Sequence, residues 1–250
     1  MKKILFTFCF SLIANYTIQA QTKKENIKAI YQSEFIISED LIENLPANYK
    51  ETVKAEIKNG IYVNFELESN GELSSFKPEI KVNNTQSNDG LIYQQIIASE
   101  GNPLYKDYTK NEFYNVKEVG GRTFLIQDKL TDYQWKITRE KTTINGYNVT
   151  KATGTDENFQ DLIVWFSTEL PYRDGPYRFA NLPGLVVKAE FSTPGFKTIF
   201  TLKDLQILDK PINVILPTKG KIVTDKQFMD EMNELNKKYK EINQGVDKSK

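Results

Sequence analysis

The sequence predicts a β-rich α+β domain built on a twisted, curved antiparallel sheet. That sheet is a meander, reaching a half-barrel at its limit, with a short N-terminal helical region and a C-terminal helix. Three observations predict it. Ile61, Val63, Phe65 and Leu67 alternate with Tyr62, Asn64, Glu66 and Glu68, and Asn70-Gly71 follows as a hairpin turn. Turn signals at Gly120-Gly121, Asn145-Gly146 and Thr193-Pro194-Gly195 separate short apolar runs, which suits hairpins better than parallel βαβ units. Near the end, Phe228, Met232, Leu235, Tyr239 and Ile242 recur at helical spacing.

The elements follow in chain order. Lys2 and Lys3 precede an apolar run, Ile4 to Ile13, and Ile18-Gln19-Ala20 offers a small residue before a cut. Residues 1–20 therefore read as a cleaved signal peptide, since a membrane span needs roughly 18 or more apolar residues. Cys9 follows Phe8, where a lipoprotein signal needs a small residue, so no lipid anchor is expected there. Residues 21–223 form the β-rich domain, and residues 224–250 the C-terminal helix and tail.

Ile30 to Ile37 mixes branched and polar residues as a half-buried strand does. Ser38, Glu39 and Asp40 start a helix, Tyr49 to Lys58 resumes it past Pro46, and Gly60 stops it. After the hairpin at Asn70-Gly71, Leu73 to Phe76 is the return strand. Asp89 to Ser99 fits a short helix or a strand. Leu104 to Val119 is extended, and Arg122 to Gln127 returns across Gly120-Gly121. Tyr133 to Thr138 is a short strand around Trp135, and Tyr147 to Ala152 follows Asn145-Gly146. Leu162 to Phe166, continuously apolar, reads as a central strand. Leu185 to Phe191 and Lys197 to Leu202 make an antiparallel pair. Thr224 and Gln227 form a capping box on the last helix, which is either docked on the core or free for a partner.

Composition removes whole chemistries. The 250 residues contain no histidine, and the only cysteine is Cys9, inside the leader. No Ser-His-Asp or Cys-His triad, His-ligated metal site or disulfide can be built from the remainder. Lys+Arg and Asp+Glu both number 33, and loss of Lys2 and Lys3 leaves a small negative excess. Such a chain has no field for nucleic acid. No calcium-loop spacing occurs, so neither a metal nor a cofactor is expected, and no second apolar run is long enough to span a membrane.

One segment is unusual. Between Ser167 and Gly184 the chain carries Pro171, Gly175, Pro176, Pro183 and Gly184, far more than a tight turn needs. Long loops shaped by proline and glycine are commonly functional or packed by their own side chains. Trp165, Tyr172, Tyr177 and Phe179 could fill the space beneath this one.

The stretch Asn181-Leu182-Pro183-Gly184-Leu185-Val186 resembles the signature of the GLPGLI family of exported proteins from Bacteroidetes-type bacteria. Its flanks agree: Trp165 on the preceding strand, Pro171, Gly175-Pro176, and Phe179. Upstream, Ile144-Asn145-Gly146-Tyr147 and Lys151-Ala152 resemble the family's Ile-x-Gly-Tyr…Lys-Ala stretch. Asn181 replaces the first motif glycine, and Val149 stands where many members carry cysteine. The resemblance implies an export route, to the periplasm or outer surface of a Gram-negative bacterium, and a fold more than a reaction.

Two readings of the loop stand side by side. As a rigid corner it closes one end of the sheet, with Leu182, Leu185 and Val186 as core. As a binding lip it projects Tyr172, Arg173, Asp174 and Arg178, with arginine available to fork onto an anion. Catalysis would have to use carboxylates such as Asp161, Glu169, Asp174 and Glu190, in the manner of a hydrolase, and no catalytic residue is assigned. The expected function is thus contact with another envelope protein, or carriage of a small apolar or peptide ligand in the sheet's concave face.

Overall fold

Alternating burial begins with the first described residue. The computed structural model describes residues 26–79, 90–157 and 159–247, so the predicted leader lies outside the described residues. Strand β1 (Asn26–Ile37) buries Ile27, Ala29, Tyr31 and Ser33 on one face. Ser38 then caps α1 (Glu39–Glu43), its side chain accepting the Leu41 N–H at 3.4 Å. Helix α2 (Ala47–Asn59) follows Pro46 and ends at Gly60, where φ is 78°. Strand β2 (Ile61–Ser69) buries every second residue as its alternation predicts, and β3 (Leu73–Pro78) returns from the Asn70-Gly71 turn.

The ambiguous segment is helical: α3 (Leu91–Glu100). Its first turn is capped from another helix, since Glu56 of α2 accepts the Ile92 and Tyr93 N–H groups at 3.1 and 2.9 Å. The long extended run splits into β4 (Leu104–Asp107) and β5 (Glu112–Val119). Asp107 Oδ1 holds the turn between them, accepting from Thr109 N, Thr109 Oγ1 and Lys110 N at 2.6–3.1 Å. Strand β6 (Arg122–Lys129) closes that meander.

The strand expected around Trp135 is displaced. Leu130 to Trp135 is irregular, and β7 (Lys136–Ile144) starts only at Lys136. Apolar content misled here, because Tyr133 is drawn out of sheet geometry into the core under the long loop. Next come β8 (Tyr147–Thr153) and β9 (Gln160–Ser167), then β10 (Leu185–Thr193) and β11 (Phe196–Leu208) after the loop. A short β12 (Lys221–Val223) leads into α4 (Asp225–Asp247). The capping box is present: Thr224 N donates to Gln227 Oε1 at 2.9 Å, and Gln227 N to Thr224 Oγ1 at 3.2 Å.

Among the described residues twelve strands form one open, curved sheet in the order β12-β6-β5-β4-β3-β2-β1-β11-β10-β9-β8-β7. Two consecutive meanders, β1 to β6 and β7 to β11, are joined where β1 pairs with β11. Strand β12 runs parallel to its neighbour β6, and the other described pairs are antiparallel. Strand β9, expected at the centre, lies two strands from the β7 edge. Its apolar run reflects cover by the loop rather than a central position. The exposed edge strand β7 carries Lys136, Arg139 and Lys141 and a register shift, features that blunt edge-to-edge pairing. The main core lies on one face of β1–β3 and β8–β11, with Phe65 stacked on Phe76 (centroids 4.9 Å apart) and Phe200 edge-on to both.

Candidate functional site

The segment between β9 and β10 crosses the core-bearing face of the sheet instead of turning straight back. Its two ends sit side by side, Ser167 paired with Leu185. Between them the loop reaches as far as β4, β5 and α4, on the far side of β1.

The first tether is an ion pair in the interior. Lys106 of β4 faces inward, opposite Ser74 on β3 and Phe113 on β5. Its Nζ lies 2.6 Å from Asp174 Oδ1, the two side chains being 0% and 3% exposed. Nζ also donates to the Gly175 carbonyl at 2.7 Å, and Asp174 Oδ1 accepts the Gly175 N–H at 2.7 Å. Burial pulls the lysine pKa down, and the adjacent Asp174 charge works against that pull. Tyr108, itself buried, interacts with both Asp174 and Ser74, so hydroxyls surround the carboxylate in the interior. A buried pair of charges is costly even so, because both ions have left water. The expectation that Asp174 projects beside Arg173 as an exposed opposite charge is therefore corrected.

A second tether takes Arg178. Its guanidinium forks onto Asp225, the first residue of α4, at 2.7 and 3.1 Å, and lies 4.0 Å over the Phe113 ring. Arg178, expected to project from the lip toward a ligand's anion, instead pairs with a carboxylate of its own chain. Backbone and ring contacts complete the attachment. Tyr31 OH donates to the Val186 carbonyl at 2.6 Å, Trp135 Nε1 to the Ala180 carbonyl at 2.9 Å, and Val186 N to the Asp174 carbonyl at 3.0 Å. Phe179 is fully buried against Tyr133, Trp135, Tyr177 and Phe191.

The remaining predicted residues divide by side. Gly175, Pro176, Leu182, Gly184 and Leu185 are buried, and Tyr172 and Tyr177 are half-buried against the main core. Asn181, standing in for the first motif glycine, takes the left-handed conformation, φ 66°. Trp165 sits on β9 rather than beneath the loop, with Lys151 Nζ 6.0 Å from its ring. Pro171, Arg173, Asn181 and Pro183 face solvent. The loop thus brings Asp174, Arg178, Phe179 and Leu182 together with the sheet and leaves Arg173 outside. Sequence reasoning missed Lys106, Trp135 and Tyr31. For Lys106 a signal existed, because it shares the inward parity of Leu104 on a short strand.

The carboxylates considered for acid–base work do not gather. Asp174 pairs with Lys106, Glu190 lies between Lys188 and Lys197 at 2.7 and 3.0 Å, and Glu169 accepts from Asn148 at 2.8 Å. A cleft of about 520 Å³ opens where the loop meets α4, floored by Tyr133, Phe159 and Tyr177 and walled by the Arg178–Asp225 pair.

Burial holds the hydroxyls of Tyr31, Tyr108, Tyr133 and Tyr177 above the ordinary tyrosine range. An unfolded chain ionises these groups near pH 10, whereas the fold keeps them protonated. Stability is therefore intact below about pH 10 and falls as pH rises through the raised folded values. In an alkaline titration, tyrosinate absorbance from these residues should appear together with loss of sheet circular dichroism. Their ionisation with the sheet signal unchanged would contradict this packing.

One solved protein has a similar fold over part of its length. PNGF-II, in two crystal forms, superimposes with TM-scores of 0.51 and 0.50 at 16% identity over 82% of this chain. The chain spans about a third of PNGF-II, 32% of its length. An uncharacterized conserved protein from Thermus thermophilus overlaps more loosely, with a TM-score of 0.37 and 8% identity over 80% of this chain and 91% of that one. No protein-family model and no curated protein matches the sequence. At 16% identity the likeness to PNGF-II is one of fold alone.

Proposed function

We propose that the chain is an exported accessory protein of the GLPGLI kind, acting by contact with another cell-envelope protein and not by catalysis. The observation that carries this reading is the two-sided loop. Its inner side is consumed by the Lys106–Asp174 and Arg178–Asp225 pairs and by Phe179 and Leu182. Its outer side presents Pro171, Arg173, Asn181 and Pro183 to solvent. A surface anchored in this way loses little conformational freedom when a partner binds. The basic start, the apolar run to Ile13 and the small residue at Ala20 support export, to the periplasm or outer surface of a Gram-negative cell. Among the described residues no helix is long and apolar enough to cross a membrane.

The test is capture of envelope proteins on immobilised chain lacking residues 1–20. One stoichiometric partner is expected, and it should be lost with Arg173→Glu, a substitution at an exposed position that leaves the fold intact. Equal recovery with the variant would overturn the proposal. A second reading rests on the cleft beside Tyr177, whose volume of about 520 Å³ suits a small ligand better than the sheet face occupied by the loop. Native mass spectrometry revealing a co-purified apolar or peptide ligand would favour it.

A further inference from the structure

The cleft where the motif loop meets α4 combines two opposed chemistries. Its floor is aromatic: Phe159 and Tyr177 are half-buried there, their ring centroids 6.0 Å apart and their planes tilted by 59°. Met229 of α4, 53% exposed, adds a flexible apolar side chain to the lining. Around this apolar ground stand the carboxylates of Asp128, Asp156, Glu157 and Asp225. A fatty ligand would strip water from those carboxylates, and an anion would meet like charge.

The charges already committed decide the sign of the occupant. Three cations line the cleft, and two are held, Arg178 by Asp225 and Lys226 by Asp230, each at 2.7 Å. Lys129 is the third. On the acidic side, Asp128 accepts the N–H groups of Lys129 and Asp225 at 2.8 and 3.0 Å. Neither Asp128 nor Glu157 forms an ion pair among the described residues. Four carboxylates against three cations leave the lining negative by one charge. Among the described residues no three carboxylates converge as a metal site. The excess is spread around an aromatic floor, which suits an organic cation on an apolar stem.

We infer that this cleft binds a peptide segment through a lysine or arginine side chain. The stem of that side chain lies on Phe159 and Tyr177, and its charge sits among Asp128, Asp156 and Glu157, with the ring faces adding cation–π attraction. The cleft is open to solvent, so the backbone that carries the side chain stays outside. Its volume of about 520 Å³ leaves room for more than one residue of the segment. The inference rests on the second reading above, in which this cleft takes a ligand, and it names the ligand's class.

Calorimetric titration of the chain from Gln21 with capped hexapeptides tests it, the two central residues being lysine, norleucine or glutamate. The lysine peptide is expected to bind at least about tenfold more tightly than the other two, and its advantage should shrink as salt is raised. Glu157→Gln, at an exposed position, should weaken that binding several-fold with the thermal melt unchanged. Asp128→Asn should do the same, because asparagine keeps an oxygen for the Asp225 N–H. Equal binding of the norleucine peptide, lost with Phe159→Leu, would overturn the basic class and leave the cleft as a ligand site. Lysine-peptide binding indifferent to both carboxylate variants would place that peptide elsewhere and overturn the inference. Failure of all three peptides to bind would overturn it too, whereas a ligand of another class found on the native chain would still uphold the reading beneath it. Spermidine binding more tightly than the lysine peptide would overturn it in favour of a free polyamine.

Discussion

Asp174→Ala is expected to cost the fold about 3–5 kcal/mol, because it strands the Lys106 ammonium in a dry interior. The lysine side chain is fully buried, and without Asp174 it keeps the neutral carbonyls of Gly175 and Phe179 as hydrogen-bond acceptors. Lys106→Met should also be destabilising, since it leaves Asp174 buried without its ion-pair partner. Combining the two should cost clearly less than the sum, because a buried pair replaced by apolar groups loses the charges together with their desolvation penalty. Denaturant unfolding of the three variants measures this. Strict additivity would mean that the two groups do not depend on one another.

Gly184→Ala is expected to cost about 3 kcal/mol or more, a large effect for one methyl group. The reason is close approach and not φ. An added Cβ would stand 2.0 Å from the Ser167 carbonyl oxygen and 3.0 Å from Thr168 N. Neither can retreat easily, because Ser167 is paired with Leu185 at the base of the loop. Gly121→Ala is the contrasting case: φ is 73° but nothing lies within 4 Å, so only the backbone strain of about 1–2 kcal/mol applies. A Gly184→Ala melt no lower than that of Gly121→Ala would contradict the packing at the loop's base.

Local chemistry was legible in the sequence wherever local rules decide. The alternation at Ile61 to Glu68, the turn at Asn145-Gly146, the box of Thr224 and Gln227 and the left-handed Asn181 all depend on neighbours within a few residues. What was not legible depends on pairing across the chain. The union of β1 with β11 joins residues far apart in sequence, and no local pattern announces it. The same holds for the partner of Lys106: parity with Leu104 points the lysine inward, but only a loop from beyond β9 delivers Asp174 to it. Arg178 shows an intermediate case. Residue type marked it as an anion binder facing outward, and only the fold shows that its anion is Asp225 of the same chain. The motif loop was therefore recognised as a feature, and its attachment across the sheet was not.

Native-state hydrogen exchange of the loop amides tests the account most directly, because it asks whether residues 168–184 open alone or only with the sheet. The N–H groups of Gly175, Phe179, Leu185 and Val186 are all committed, to Asp174 Oδ1 and to the carbonyls of Pro176, Leu170 and Asp174. If the loop is a brace held by its buried ion pair, these amides exchange only with global unfolding, at the same free energy as the core amides of β1 and β11. If they exchange by local opening while the β1 and β11 amides stay protected, the loop is a loosely attached flap and the brace does not exist.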